Sequence, residues 1–360
     1  MRFQAAYMTW AKARPHVRVD LAVSNVLPCS VEEVQGAAAA LDFSGRNDDG
    51  FPPLLDAIAN RYGVAADRVA TAIGTSGANF LAALALVGPG DDVLVEGPAY
   101  DPLLAIPRAL GANVVRFARR FEDGFAIDPN AVRRAMTRAT KLIILTQPHN
   151  PSGGLTPDGD LAAVAHIAAE HGAFVLVDEV YLDAARGCGA PPAAGIADNV
   201  ISTNSLTKSY GLAPLRCGWA IASAPVAERI RRARDVVDGT GSIPAERLSV
   251  IAFSQLERLA ARARAIVEPN VATLRGFLAA TPELQGFVQH GTVAFPRLSS
   301  GGDATIFAER LARERETAVV PGRFFEAPAH FRIGIAVAPD VLAQGLSAIS
   351  ATLRSEPRIP

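Results

Sequence analysis

Residues 141–154 read KLIILTQPHNPSGG, and residues 173–181 read AFVLVDEVY. Each opens on a short run that is apolar at every position, 142–145 and 174–177. A strand with one wet face alternates polar and apolar residues, so runs of this kind belong to strands covered by helices on both faces. Each run then passes abruptly into polar residues: an asparagine held between two prolines, and the pair Asp178-Glu179. Ligands of open α/β sheets bind beyond the carboxyl ends of the strands, which makes Asn150 and Asp178 candidates for a site.

Working outward, short β-branched runs at 92–95, 113–117, 200–202 and 217–222 alternate with helical patterns at 78–87, 101–110, 129–136 and 158–171. This alternation predicts an α/β fold: a mostly parallel central sheet with helices on both faces. Beyond Pro225 the pattern turns helical, with helices expected at 227–237 and, unbroken, at 245–281. Strands near 293–295 and 331–336 and a closing helix over 339–353 follow. The expected organisation is a large domain over 46–240 and a smaller α+β domain made of 1–45 and 241–360, joined by the long helix.

Composition narrows the function. The chain has 360 residues, 35 Lys plus Arg against 36 Asp plus Glu, a net charge of −1 and 49% hydrophobic residues. A balanced charge argues against nucleic acid as a partner and for small metabolites. No apolar run approaches the roughly 20 residues that cross a bilayer, so no membrane span is expected. The first residues, Met1 to Gln4, lack the basic and apolar signature of a secretory signal. Three widely spaced cysteines suggest neither a disulfide framework nor a zinc site, and they suit a cytoplasmic location.

Four further segments carry chemistry. Residues 205–212, SLTKSYGL, set Lys208 in a hydroxyl-rich loop after the strand at 200, with Arg216 eight positions on. Residues 74–79, GTSGAN, open a helix, and exposed amides at a helix start with a glycine for close approach favour phosphate. Residues 96–100, EGPAY, bring Tyr100 to the same sheet edge. Arg332, in the segment HFRIGI of 330–335, lies among apolar neighbours that call for a buried anion. Each has a plain alternative: a solvated loop lysine, an aspartate capping a helix, a structural asparagine, a core tyrosine, a solvated strand arginine.

Taken in order, QPHNPSG at 147–153, VDEVY at 177–181 and SLTKSYGL at 205–212 with LRCG at 215–218 resemble the fold-type-I pyridoxal-phosphate enzymes. The resemblance is to the class I/II aminotransferases, including the histidinol-phosphate aminotransferase-like branch, and it spans about residues 20–350. It implies the cofactor pyridoxal 5'-phosphate, a Schiff base on Lys208, and transfer of an amino group between an L-amino acid and a 2-oxo acid. Asp178 is expected to pair with the ring nitrogen, Asn150 and Tyr181 with the ring hydroxyl, and Tyr100 to stack on the ring. Ser76, Gly77, Ala78, Asn79, Ser205 and Arg216 are expected to hold the phosphate, and Arg332 the substrate α-carboxylate in a bidentate pair. The segment LAVSNVLP at 21–28 resembles the branch's N-terminal asparagine segment, so Asn25 joins the substrate residues. Tyr7, with Met8 and Trp10, is expected to cover the substrate, with the loop near Phe295 contributing to specificity.

The family builds its sites at a subunit boundary, which implies a homodimer. Many relatives lend the phosphate a tyrosine from the neighbouring subunit, but residues 42–50, DFSGRNDDG, contain none, leaving Arg46 or Asn47 as substitutes. Other pyridoxal-phosphate outcomes share the constellation: β-elimination, decarboxylation, cyclisation or oxidation of an amino acid. A non-catalytic ligand-sensing domain is a further alternative.

Overall fold

The protein is described from a computed structural model covering residues 4–355. Met1, Arg2 and Phe3, which belong to the segment read for a secretory signal, lie outside those residues.

Seven strands form the central sheet: β1 (Val69–Ile73), β2 (Asp92–Gly97), β3 (Asn113–Ala118), β4 (Thr140–Thr146), β5 (Phe174–Asp178), β6 (Val200–Ser205) and β7 (Cys217–Ile221). Their spatial order is β1-β7-β6-β5-β4-β2-β3, and every pairing among β2 to β6 is parallel. Only β7 runs against the others, pairing antiparallel with β6 and with β1. The expected sheet is therefore present, with β1 added. Its sequence, VATAI, carries two alanines and lacks the bulky β-branched run that marks the inner strands.

Strand period explains the two faces. Leu142 and Ile144 join Val93, Val95, Leu176 and Ile201 against the helices Gly74–Leu86, Asp101–Ala109 and Ala224–Val237. Ile143 and Leu145 point the other way, with Leu94, Val175 and Val177, onto Leu161, Val164 and Ala168 of the helix Asp158–Glu170. Each such side chain contributes about 1.5–3 kcal/mol on burial, so the all-apolar reading of these strands is what the two-sided cover rewards.

The helix expected at 78 begins at Gly74, four residues earlier, directly off β1. Gly74 turns the chain at φ +68, and a Cβ there would lie 2.2 Å from Arg216 Nη2. The helix expected to run unbroken over 245–281 is two, Ile243–Phe253 and Leu256–Ala279. At the break Ser254 Oγ and Gln255 Nε2 both donate to the Ile251 carbonyl (2.8 and 3.2 Å), giving that group side-chain partners.

The N- and C-terminal parts share a second core. Val19, Leu21 and Val26 pack with Phe307, Leu311, Phe331, Ile333, Leu342 and Ile349. Val19–Asp20 pairs in parallel with Thr317–Ala318, while Val293–Ala294, Phe331–Gly334 and Val320–Pro321 form a three-stranded antiparallel sheet. A helix not expected from the sequence, Ala6–Ala13, lies against Asp101–Ala109. Among the described residues no helix is long and apolar enough to cross a membrane.

Candidate active site

The parallel strands deliver their last residues to one edge: Thr146 opposite Asp178, and Asp178 opposite Thr203. Because β7 is reversed, its first residues reach the same edge, with Gly218 opposite Ser205. A cavity of about 240 Å³ opens there, lined by Tyr7, Met8, Ser24, Asn25, Thr75, Ser76, Tyr100, Asn150, Asp178, Tyr181, Ser205, Lys208 and Arg216 among others. Residues spread over 210 positions of sequence thus meet in one place. Among the described residues no cluster of His, Cys, Asp and Glu could hold a metal ion, and the three cysteines are unpaired.

Lys208 Nζ donates to Ser24 Oγ (2.9 Å) and Asn25 Oδ1 (2.7 Å) and lies 5.8 Å from the Tyr181 ring centroid. Removal from water lowers its pKa to about 8, and the Arg332 and Arg216 charges act in the same direction. An amine so placed loses its proton close to neutrality, as a nucleophile or proton carrier requires.

Asp178 is buried, and burial raises its pKa to about 6. Its Oδ2 accepts from Asn79 Nδ2 (2.8 Å) and its Oδ1 from the Val180 amide (3.1 Å). Asn79 is itself oriented by Thr203, whose Oγ1 donates to Asn79 Oδ1 at 2.5 Å. Asn79 is therefore a support for Asp178, which corrects its expected place in the phosphate cradle. Ala78 is fully buried in the core under the sheet, and neither it nor Gly77 lines the cavity. The expectation of a cradle over 76–79 moves toward the helix start, because the helix begins at Gly74.

Thr75 and Ser76 line the cavity from that first turn, where amides lack intrahelical acceptors and the helix dipole is positive. Thr75 Oγ1 donates to Ser205 Oγ (2.8 Å), which also accepts from the Thr207 amide (3.2 Å). Arg216 is exposed, and its Nη2 lies 3.5 Å from the Ile73 carbonyl. No ion pair engages it among the described residues. Glycines make the approach possible: a Cβ on Gly218 would lie 2.2 Å from the Gly74 backbone.

Arg332 lies behind the wall at the other end, 1% exposed on the strand Phe331–Gly334; it does not itself line the cavity but bonds Asn150 and Tyr7, which do. Its Nη1 donates to Asn150 Oδ1 (3.2 Å), and its Nη2 donates to Tyr7 Oη (3.0 Å) and the Ala22 carbonyl (3.4 Å). Its Nε has no acceptor, and no carboxylate pairs with it among the described residues. A buried cation satisfied only by neutral oxygens is an incomplete anion site. Tyr7 packs edge-on against Tyr100 (centroids 5.4 Å apart), and Tyr100 Oη donates to Met8 Sδ (3.4 Å). Phe295, expected near the substrate, is buried against Phe325 and stacked on His330, and it does not line the cavity.

Asn47 is already engaged within its own chain, donating to the Gly241 carbonyl (2.7 Å) and Glu246 Oε2 (3.3 Å), whereas Arg46 is exposed beside Asp48. Sequence reading missed Ser24, Thr75, Thr146 and Thr203. Ser24 sits next to Asn25, and Thr203 two positions before Ser205, both of which it did single out. The strand-end rule that exposed Asp178 applies equally to Thr146.

Three cations and one carboxylate around this cavity suit a ligand with a phosphate, a ring nitrogen that shares a proton with Asp178, and an aldehyde within reach of Lys208. The Gly74 and Gly218 contact leaves the helix start open to a phosphate, and the orphaned Arg332 Nε awaits an acceptor. The residues present fit pyridoxal phosphate.

Comparison with known proteins supports the same identity. The family model for aminotransferase class I and II matches residues 21–349. Capreomycidine synthase of Streptomyces vinaceus is 32% identical over 298 residues, covering 81% of this chain and 75% of the relative. A probable N-succinyldiaminopimelate aminotransferase of Mycobacterium tuberculosis is 31% identical, covering 78% and 74%. The crystal structure of a PLP-dependent aminotransferase from Streptococcus suis superposes with a TM-score of 0.90 at 26% identity, covering 98% of both chains. With fold, cavity and family model in agreement over nine-tenths of its length, the chain belongs to the class I and II aminotransferases, which work with pyridoxal phosphate.

Proposed function

We propose that this cavity carries out reversible amino transfer between an L-amino acid and a 2-oxo acid, with Lys208 as the working amine. The observation that carries the reading is two cations of different kinds at one cavity, Lys208 in its lining and Arg332 directly behind Asn150 and Tyr7 of that lining. Lys208 is an amine with a pKa near 8 facing Asp178, and Arg332 is a buried guanidinium without an acid of its own. When bound, pyridoxal phosphate supplies an aldehyde for amines to condense with and a ring that accepts electrons from a bond broken at the substrate α-carbon.

The chain's residues would divide the remaining work. Thr75 and Ser76 amides, Ser205 and Arg216 hold the phosphate. Asp178, steadied by Asn79, keeps the ring nitrogen protonated. Asn150 and Tyr181 serve the ring hydroxyl, and Tyr100 covers a ring face. Arg332 takes the α-carboxylate, which brings the acceptor its Nε lacks, and Tyr7 closes over it. Lys208, an amine that loses its proton close to neutrality, would move the α-proton. Asn25 and Ser24 hold its Nζ while it waits.

A homodimer accompanies this reading. Phe43 and Val236 are 83% and 84% exposed, and Leu41, Val237 and Ile73 are exposed nearby in sequence or next to the helix start. Apolar side chains so placed favour burial against a second copy. A cytoplasmic location accords with the unpaired cysteines.

The test is a single half-reaction. Enzyme loaded with cofactor and given one amino acid, without an oxo acid, should release one equivalent of the matching oxo acid and keep the amino group. Release of ammonia, or repeated turnover without an acceptor, would reject transfer. It would favour the second reading, an elimination or cyclisation, which similarity to a protein named as a synthase makes worth separating.

A further inference from the structure

The loop that carries Asn150 is held by a buried ion pair that never touches the cavity. Glu96, next to last in β2, is fully buried. Its Oε1 accepts from both the Thr146 amide (2.7 Å) and Thr146 Oγ1 (2.6 Å), and its Oε2 accepts from Arg119 Nη1 (2.7 Å). Arg119, 2% exposed, uses its other two nitrogens as well. Nε donates to the Phe125 carbonyl (2.6 Å) and Nη2 to Thr156 Oγ1 (3.2 Å).

Thr146 and Thr156 bracket the loop. At its near end the Asn150 amide donates to Thr146 Oγ1 (2.8 Å). At its far end Thr156 exchanges two hydrogen bonds with Gln147, both 2.8 Å. Between them His149 donates from Nε2 to the Pro98 carbonyl (2.9 Å), leaving Nδ1 to accept from Ser152 Oγ (2.7 Å). One guanidinium therefore ties both ends of the segment, directly through Thr156 and by way of Glu96 through Thr146.

Burying an ion pair costs so much desolvation that apolar residues of equal volume commonly serve stability as well. What the pair adds is direction: four bonds whose geometry leaves Thr146 and Thr156 one arrangement. We propose that Arg119 and Glu96 are positioning residues that clamp the 146–156 loop and so set Asn150 against Arg332. The inference rests on the reading of Asn150 given above.

The test uses full-length holoenzyme carrying Glu96→Gln, Arg119→Lys, Thr156→Val or Asn150→Ala. Hydrogen–deuterium exchange over 146–156, the pH midpoint of the bound cofactor's visible absorbance, and KM and kcat for the amino donor are read on each. Glu96→Gln and Arg119→Lys should speed exchange across the loop and raise KM about five- to twentyfold. They should also shift the midpoint in the direction seen for Asn150→Ala, by a smaller amount. Thr156→Val, which leaves the ion pair intact, should move KM about two- to threefold in the same sense. Folded variants with native exchange in the loop overturn the clamp. Faster exchange with unmoved midpoint and KM overturns its role in positioning. If Asn150→Ala itself moves neither, the reading of Asn150 fails, and exchange alone then judges the clamp. Should Glu96→Gln and Arg119→Lys not fold, Thr156→Val decides.

Discussion

The two ends of the cavity are finished to different degrees. At the Asp178 end, Thr203 holds Asn79, Asn79 holds Asp178, and Thr75 bonds Ser205, all from strand ends or the helix start beside them. At the Arg332 end the parts come from residues 7, 22, 150 and 332, and one guanidinium nitrogen has no acceptor. A carboxylate whose supports satisfy one another suits a resident group that must be held still. An end left short of an acceptor suits a ligand that arrives, brings its own oxygens and leaves.

Substitutions at each end test this contrast. The largest effect belongs to Lys208→Ala, which should cut turnover by about 10⁴-fold or more and leave no borohydride-trapped mass on the chain. Appreciable turnover, or a label elsewhere, would detach the amine from both ends. Asp178→Ala should keep the fold and lower kcat by roughly 10²–10³-fold with little change in KM.

The same residue gives a stability test free of catalysis. Burial raises the Asp178 pKa from 3.8 to about 6, so the folded cofactor-free protein binds more protons than the unfolded chain in that window. Its stability therefore falls as pH rises through the window, and the cost is full above it. Asp178→Asn should stabilise the cofactor-free protein by up to about 3 kcal/mol at pH 7, a gap that closes toward pH 4 in denaturant titrations. A variant less stable at pH 7 would show that the carboxylate is not held against its preference.

At the open end the effects should fall on binding. Arg332→Ala should raise KM for the amino donor roughly 10- to 100-fold, more than it lowers kcat. Tyr7→Phe removes one neutral bond to the same guanidinium and should raise KM about two- to tenfold. A larger loss for Tyr7 than for Arg332 would invert the assignment.

The finished end was also the legible one. Asp178 follows a strand that is apolar at every position, so the strand-end rule located it without tertiary information, and Lys208 was marked by the family resemblance of the motif that holds it. β1 escaped because alanine carries little strand signal, and with it went the place of Asn79. Nothing local announces that Tyr7 meets Arg332 across 325 positions, or that Ser24 bonds Lys208 across 184. Those contacts arise when Val19 and Leu21 pack into the C-terminal core, a long-range burial with no periodic signature in the short N-terminal segment. Arg119 was equally silent: a charged residue between a strand and a loop reads as solvated until its burial is known.

The reversed direction of β7 bears on which parts of the chain can change length. Elsewhere in the sheet, successive parallel strands are joined by crossovers that travel the full depth of the molecule, and a few added residues could bulge harmlessly at the distant edge. Between Ser205 and Cys217 the chain doubles back within the site itself, so the spacing from amine to guanidinium is counted out residue by residue. Natural or engineered insertions should accumulate in the crossovers and be purged from this hairpin, which acts as a ruler for the chemistry it encloses.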